Sequence, residues 1–250
     1  MKLLVDHDVA ALNAFLSSVN VGDYVVRGQV ESYSCKLAGT DKKLSRSLDA
    51  EVIETMAVGS PMGGGYGFGT SPVGPLTDSA SRRTLIYLIL TLNHIYPDYD
   101  FSSLRAEHFT KEGQLSAVKT DIDTLLMESG KVWAAQYGAS EPFLEVLWKT
   151  LDAAIEVYEC DVYSYKAMSE GDPFTDEGNL WAFNYFFYNK KLKRILYFTM
   201  HAVSKTTDDG MEDSYDAADG SEEHHVGYNS YDGGESYNDD SMMFDDMEDL

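Results

Sequence analysis

The chain has 250 residues and a formal net charge of −23, with a sequence pI of about 4.4. Binding to the phosphates of nucleic acid needs a positive field, which so acidic a chain lacks. We therefore expect no direct sequence-specific DNA binding. No apolar run approaches the ~18 residues of a membrane span, and none after Met1 is typical of a signal peptide, so we expect no membrane association.

The first elements are a helix and a long strand. Asp6 can cap a short helix whose apolar residues fall on one stripe. Residues 24–36 alternate between apolar and polar side chains, which predicts a strand with one drier face. Gly28 interrupts that pattern and indicates a bulge or a close approach of another backbone.

A stretch rich in Gly and Pro follows. Residues 59–75 contain seven Gly and three of the six Pro, which is typical of a flexible connection. We therefore predict a first part of a globular domain over 1–40 and a flexible Gly/Pro/Ser linker over 41–80. The remainder of the same domain then spans 81–205, and an acidic tail spans 206–250.

Three further helices are predicted after the linker. The strongest covers residues 81–94, where Leu85, Leu88 and Leu92 share a stripe. A second is amphipathic over 115–126. A third is predicted to be capped by Ser140, with Pro142 in its first turn.

The last strands include the most unusual run of the chain. Residues 160–166 read as a strand, and Leu180–Tyr188 carries six aromatic rings on two largely apolar faces, as in a strand covered on both sides. Asn184 needs a hydrogen-bond partner if it is buried there. A tight hairpin at Asn189-Lys190 would lead into the strand 192–203.

The strand before the linker needs partners after it, which makes a single domain the best interpretation. We predict an α+β fold with one mainly antiparallel sheet of four to five strands and helices on both faces, an α/β/α sandwich. Residues 206–250 hold sixteen acidic residues and no Lys or Arg, so they are predicted to be a disordered acidic tail. The tail could be a solubilising segment or could mimic nucleic acid toward a basic partner.

Metal and cofactor sites are not indicated. Cys35 and Cys160 lie in strand-like patterns without the spacing of a zinc site, so both are interpreted as small buried side chains of a reduced, intracellular protein. His224 and His225 are interpreted as solvated residues of the tail. We expect no metal and no cofactor.

Three stretches together resemble the Maf-type repressors of RNA polymerase III transcription. Residues 28–36 resemble the first block of that family, Pro97–Ser102 the middle block and Leu180–Arg194 the last. The order of the blocks matches, as does an insert of variable length between the first two. The resemblance covers residues 1–40 and 76–204.

The resemblance implies a function and partners. It implies a repressor that binds RNA polymerase III at the clamp and blocks the initiation factor that contains TBP and a TFIIB-related subunit. Genes for tRNA and 5S rRNA would fall silent. It also implies kinases and phosphatases as partners, shuttling between nucleus and cytoplasm, and no enzymatic activity.

By resemblance, three surfaces are predicted to contact the polymerase or another partner. They are the first-block strand from Glu31 to Lys36, the turn Asp98-Tyr99-Asp100, and the cationic hairpin with Lys190, Lys191, Lys193 and Arg194. The same hairpin cations also suit a nuclear import signal, a bland charged hairpin tip or a contact to nucleic acid.

The turn with Asp98 and Asp100 has further possible roles. Asp98 and Asp100 could act as an acid/base pair with His94 or His108, could cap nearby N–H groups, or could form an acidic recognition surface.

Three serines are candidate phosphorylation sites. Ser45 follows two lysines, whereas Ser60 and Ser71 precede proline. A phosphate in the insert could repel a partner or recruit one. The rival functions are an acidic chaperone or scaffold for basic nuclear proteins and a hydrolase-like enzyme.

Overall fold

The computed structural model of the protein describes residues 1–58, 71–167 and 178–205. All of them belong to one compact unit, Met1–Glu212. The predicted acidic tail lies outside the described residues.

The centre of the fold is an antiparallel sheet of seven strands in the order β1-β3-β7-β6-β5-β4, with β2 also paired to β3. The strands are β1 Lys2–Leu4, β2 Val19–Asn20, β3 Tyr24–Ser34, β4 Phe109–Lys111, β5 Asp161–Tyr165, β6 Asn179–Asn189 and β7 Arg194–Ser204. Every strand pair is antiparallel.

Helices cover both faces of this sheet. They are α1 His7–Leu16, α2 Gly39–Val58, α3 Ser79–Ile95, α4 Leu115–Leu125, α5 Met127–Tyr137 and α6 Phe143–Ile155. Side chains of α1, α4, α5 and α6 pack into one apolar core, and those of α2 and α3 pack into the other. The predicted α+β fold with a mainly antiparallel sheet and two helical layers is confirmed.

The aromatic run forms β6, and its two faces divide as the period of two predicts. Phe183 and Phe187 enter the core beneath α6, whereas Phe186 and Tyr188 enter the core beneath α3. Asn184 is buried, and its Oδ1 accepts hydrogen bonds from the hydroxyls of Tyr197 (2.6 Å) and Thr199 (2.7 Å). The partner that this amide needs comes from β7.

The number of strands was predicted too low. The sheet has seven strands rather than four to five, and the extra strands β1, β2 and β4 have only two or three residues each. Segments so short cannot display an alternating pattern, so their pairing partners define them. Helix α5, which ends at Gly138 with a φ of +87°, was also missed.

Part of the predicted linker is a helix, which corrects the prediction of a flexible segment from residue 41. Helix α2 spans Gly39–Val58, and Leu44, Leu48 and Val52 recur every four residues and pack against the core beneath α3. The Nε of Arg82 on α3 donates to Oδ1 of Asp49 at 2.7 Å. The four-residue spacing of these three side chains is a weak periodic signal in a mostly polar stretch, so the packing partner decides the helix.

The turn chemistry of two elements also differs from the expectation. The hairpin loop runs from Lys190 to Lys193, and Lys193, with a φ of +52°, holds the left-handed conformation. Asn189 is instead buried, with its Nδ2 donating to the carbonyl of Ile155 (2.9 Å) and its Oδ1 accepting from the N–H of Leu192 (3.0 Å). At α6, Pro142 rather than Ser140 occupies the N-cap position.

Gly28 marks a close approach of two backbones. A Cβ added at this position would collide with the carbonyl oxygen of Thr199 and lie 2.8 Å from the Cα of Met200. Because β7 is the neighbouring central strand, neither atom can move away without disturbing the sheet.

We expect Gly28→Ala to lower the free energy of unfolding by at least about 1–3 kcal/mol, as overpacking does. Gly113→Ala is the matched control, since nothing lies within 4 Å of its added Cβ, and it should change stability by less than about 0.5 kcal/mol. Urea denaturation of the full chain measures both. Equal stability of the two variants would contradict the close approach.

Candidate partner-binding surface

The structure brings two of the three predicted surfaces together. Ser34, the last residue of β3, lies opposite Arg194, the first residue of β7. The N–H of Cys35 then donates to the carbonyl oxygen of Lys193 at 2.9 Å. Residues 34–36 and 190–194 therefore form one region, which we call the hairpin end.

The four cations of the hairpin differ in their partners. Lys190 forms an ion pair with Asp161 (2.7 Å), which also binds Lys111 (2.9 Å), and Lys191 pairs with Glu159.

Among the described residues, no ion pair includes Lys36, Lys193 or Arg194. The Nη1 of Arg194 donates a long hydrogen bond, 3.4 Å, to the carbonyl of Ala154. Two of the four hairpin cations are thus neutralised by carboxylates, and the other two can bind acidic groups of a partner.

The acids that neutralise the hairpin were not predicted. Burial raises the pKa of the Asp161 carboxyl, but hydrogen bonds from Lys190 and Lys111 outweigh burial and hold the pKa below its ordinary value. Lys191 lowers the pKa of Glu159 in the same way. Both acids sit where β5 begins, and the pairing of β5 with β6 carries them to the hairpin.

Glu31 and Lys36 have different environments within the first-block strand. Glu31 is half-buried, and its carboxylate accepts a hydrogen bond from the hydroxyl of Tyr33 on the same strand. Burial, with Glu31 as the second cause, raises the pKa of Tyr33, so the phenol stays a donor. Lys36 lies just beyond β3 and is exposed. Of these two predicted contacts, Lys36 is the more accessible.

The predicted turn from Asp98 to Asp100 is exposed and rigidly anchored. Oδ1 of Asp100 accepts from the N–H of Ser102 at 2.9 Å, and hydrogen bonds from the side chain and then the backbone of Ser102 lower the pKa of Asp100. The N–H of Phe101 donates to Oδ1 of Asn93 at 2.8 Å.

Tyr99 is 42% exposed. The contacts of the turn run to α3 and, through Phe101, to Tyr165 on β5, rather than to the hairpin end.

The candidate acid/base residues take structural roles. Asp100 closes a turn as an ionised acceptor, which does not suit a general acid. Nε2 of His94 lies 3.0 Å from Oδ1 of Asp41, and Nδ1 of His108 accepts from the N–H of Arg105 at 2.9 Å. These contacts account for both histidines without a reaction.

The described residues provide no metal-ligand cluster, no membrane-spanning helix and no thiol of low pKa. No cluster of three His, Cys, Asp or Glu there could hold a metal ion. No helix in those ranges is long and apolar enough to cross a membrane. Burial raises the pKa of the Cys35 and Cys160 thiols to about 12, so both are poor nucleophiles.

The three candidate phosphorylation sites have different surroundings. Ser45 is half-buried on α2, so it lies in a helix rather than in the predicted flexible linker. Ser71 is half-buried in a turn, where its hydroxyl donates to the carbonyl of Gly74. Ser60 lies outside the described residues.

The comparisons with known proteins agree with the fold. A family model described as Maf1 regulator matches residues 26–199. A Dictyostelium discoideum protein named repressor of RNA polymerase III transcription is 35% identical over 255 aligned residues, covering 85% of this chain and 89% of that one. A Schizosaccharomyces pombe protein named repressor of RNA polymerase III transcription maf1 is 37% identical, with coverages of 82% and 84%.

Solved structures agree as well. Citrus MAF1 in two crystal forms is 38% identical to this chain, with TM-scores of 0.62 and 0.64. The match covers 79% and 78% of this chain, respectively, and 99% of each citrus chain. The molecule is thus an α+β regulator with a helical layer on each face of its sheet. The chain belongs to the Maf1 family.

The position of Ser45 generates a prediction about α2. Asp41 and Asp49 lie four residues before and after it, so a negative charge at Ser45 adds two like-charge pairs on one helix face, each costing about 0.2–0.5 kcal/mol. We expect Ser45→Glu to speed amide hydrogen exchange in α2 about two- to fivefold, since a 1.4 kcal/mol difference corresponds to tenfold.

The matched control is Ser47→Glu. Lys43 precedes Ser47 by four residues and Glu51 follows it by four, so the attraction and the repulsion offset each other. Its exchange rates in α2 should stay close to those of the wild type. Equal exchange rates in the two variants would contradict the prediction that a negative charge at position 45 destabilises α2.

Proposed function

We propose that this protein represses transcription by RNA polymerase III by binding the polymerase itself. One observation carries the proposal. The chain belongs to the Maf1 family, and relatives that align over more than four fifths of both chains are named repressors of RNA polymerase III transcription. The family match over residues 26–199 includes β4, β5 and β6 and most of β3 and β7, which supports a shared fold for the surface.

The proposed mechanism is occlusion. The protein binds at the clamp of the polymerase and prevents its engagement with the initiation factor that contains TBP and a TFIIB-related subunit. Shape and charge complementarity suffice for this, and no catalytic step is needed. Silencing would fall on the genes for tRNA and 5S rRNA.

Two described surfaces suit such binding. The hairpin end offers Lys36, Lys193 and Arg194, which lack carboxylate partners in the described part of the chain. The turn at Asp98 and Asp100 offers the opposite charge beside an exposed tyrosine. Tyrosine and arginine are enriched among the side chains that dominate binding energy.

We propose further that phosphorylation controls the protein and its passage between cytoplasm and nucleus. Kinases and phosphatases would act on Ser45, Ser60 or Ser71. At Ser45 the phosphate would lie beside Asp41 and Asp49 and weaken α2. The import factor would read Lys190, Lys191, Lys193 and Arg194, displacing the two neutralising acids Asp161 and Glu159.

The test uses a reconstituted reaction with purified RNA polymerase III, its initiation factors and a tRNA gene. We expect the full chain to lower RNA output and Lys193→Glu or Asp98→Lys to weaken polymerase binding about fivefold or more, because each reverses a charge that a complementary partner would meet. The matched control is Lys131→Glu on α5, since Lys131 is exposed and pairs only with its helix neighbour Glu128 in the described residues.

A full chain that neither binds the polymerase nor changes its output would overturn the proposal. The tail charge also supports a second candidate, an acidic chaperone for basic nuclear proteins. Comparing the full chain with residues 1–205 separates the two. A repressor keeps its binding without the tail, whereas a chaperone loses it and shows a steep dependence on salt.

A further inference from the structure

A pocket of about 440 Å³ lies between β1 and the end of α6. Lys2, Leu4, Ser32, Ala154 and Arg194 are among the residues that line it. The pocket adjoins the hairpin end through Arg194. Arg194 is the one residue that the pocket shares with the contacts proposed above for repression.

The outer edge of β1 is available for pairing. In the sheet that the described residues form, β1 is an end strand with β3 as its neighbour. Leu3 is 46% exposed and Val5 is 91% exposed. An end strand presents backbone N–H and C=O groups to which another extended chain can bind.

The part of β3 that β1 and β2 leave uncovered on this side of the sheet is closed by a side chain. Between the segments paired to β1 and β2, the Asn13 side chain on α1 accepts from the N–H of Val30 and donates to its carbonyl, both at 2.8 Å. This amide occupies the backbone groups that a strand would use. An added strand is therefore directed to β1 rather than to β3.

Basic side chains line the same edge. Lys2 lies opposite Ser34, and Ser34 lies opposite Arg194, so the three side chains share one face across β1, β3 and β7. No ion pair of the described residues includes Lys2 or Arg194. The one acid of the pocket, Asp6, already accepts from the N–H groups of Asp8 (2.9 Å) and Val9 (3.1 Å) as the cap of α1.

A second observation points to a polar occupant. The Ser32 hydroxyl at the floor of the pocket is buried and has no hydrogen-bond partner among the described residues. Buried polar groups are nearly always paired, so an unpaired one calls for an explanation such as an absent ligand.

We propose that the outer edge of β1 binds an extended acidic segment of a partner protein as an additional strand. Backbone groups of β1 pair with the segment, and a carboxylate side chain points into the pocket toward Lys2 and Arg194. The alternation of basic Lys2 and apolar Leu3 selects a segment that alternates acidic and apolar residues. The site goes beyond the repressor function, since the partner need not be the polymerase.

A peptide explains the features better than a small anion does. A free phosphate would use the two cations but neither the backbone edge nor exposed Leu3. The size of the pocket, about 440 Å³, also exceeds that of a single small anion and suits a side chain entering with its backbone.

The test measures binding of a fluorescein-labelled, capped octapeptide of alternating glutamate and valine to the full chain at about 0.15 M salt, where the Debye length is ~8 Å. We expect saturable binding. Lys2→Glu should raise the Kd about five- to tenfold, because it reverses a charge worth roughly 1 kcal/mol. Arg194→Gln should weaken binding in the same direction, and circular dichroism checks that it folds.

Matched controls separate the parts of the proposal. Lys149→Glu changes an exposed cation of α6 that lines a different groove, so it should leave the Kd unchanged. A glutamine–valine peptide tests charge, and an N-methylated glutamate–valine peptide tests backbone pairing. Both should bind at least about fivefold more weakly.

Three results would overturn the proposal. They are the absence of binding, equal binding of the N-methylated peptide, and full competition by inorganic phosphate at equal concentration, which would mean an anion site alone. None of these results depends on the polymerase. Failure here therefore leaves the repressor proposal standing, and failure of repression leaves this site standing.

Discussion

The pairing of β3 with β7 is the constraint on which the rest of the structure depends. It runs unbroken from Tyr24 opposite Ser204 to Ser34 opposite Arg194. This ladder ties the beginning of the chain to the last described strand across all the helices between them. Gly28 permits the close approach of the two backbones, and the ladder places β1, the end of β3 and the cationic loop side by side. The positions of the hairpin end and of the β1 edge both follow from it.

Charge at the hairpin end is arranged by tertiary contacts. Four cations follow the aromatic strand in sequence, yet Asp161 and Glu159 neutralise two of them. The remaining cations lie next to Lys2 and Lys36, which come from the first part of the chain. A local positive region can therefore exist on a protein of strongly negative net charge, and at physiological salt only nearby charges matter. In the proposed function, partner choice rests on this local field rather than on the overall charge.

Sequence reasoning named exposed residues of the candidate surface but missed the neighbours that position them, for physical reasons. The motif residues Lys36, Asp98 and Tyr99 are exposed as an interaction surface requires. The neighbours that hold them, such as Asn93 beneath the turn and Asp161 beside the hairpin, were missed. A capping amide or an ion pair between distant residues leaves no pattern in the sequence, because only the fold brings the two groups together.

By itself, the sequence determined the three long strands and the helices with a wide apolar stripe, together with their faces. The apolar stripe of α3 and the alternation of β6 are strong sequence signals, because in each element many buried apolar side chains repeat with a single period. Only the tertiary structure decided the short strands, α2 and the conformation of the hairpin loop. The three residues of β1 form a strand because β3 pairs with them. Helix α2 is stable because three of its apolar side chains pack against the core beneath α3. Their free energy comes from those contacts rather than from local propensity.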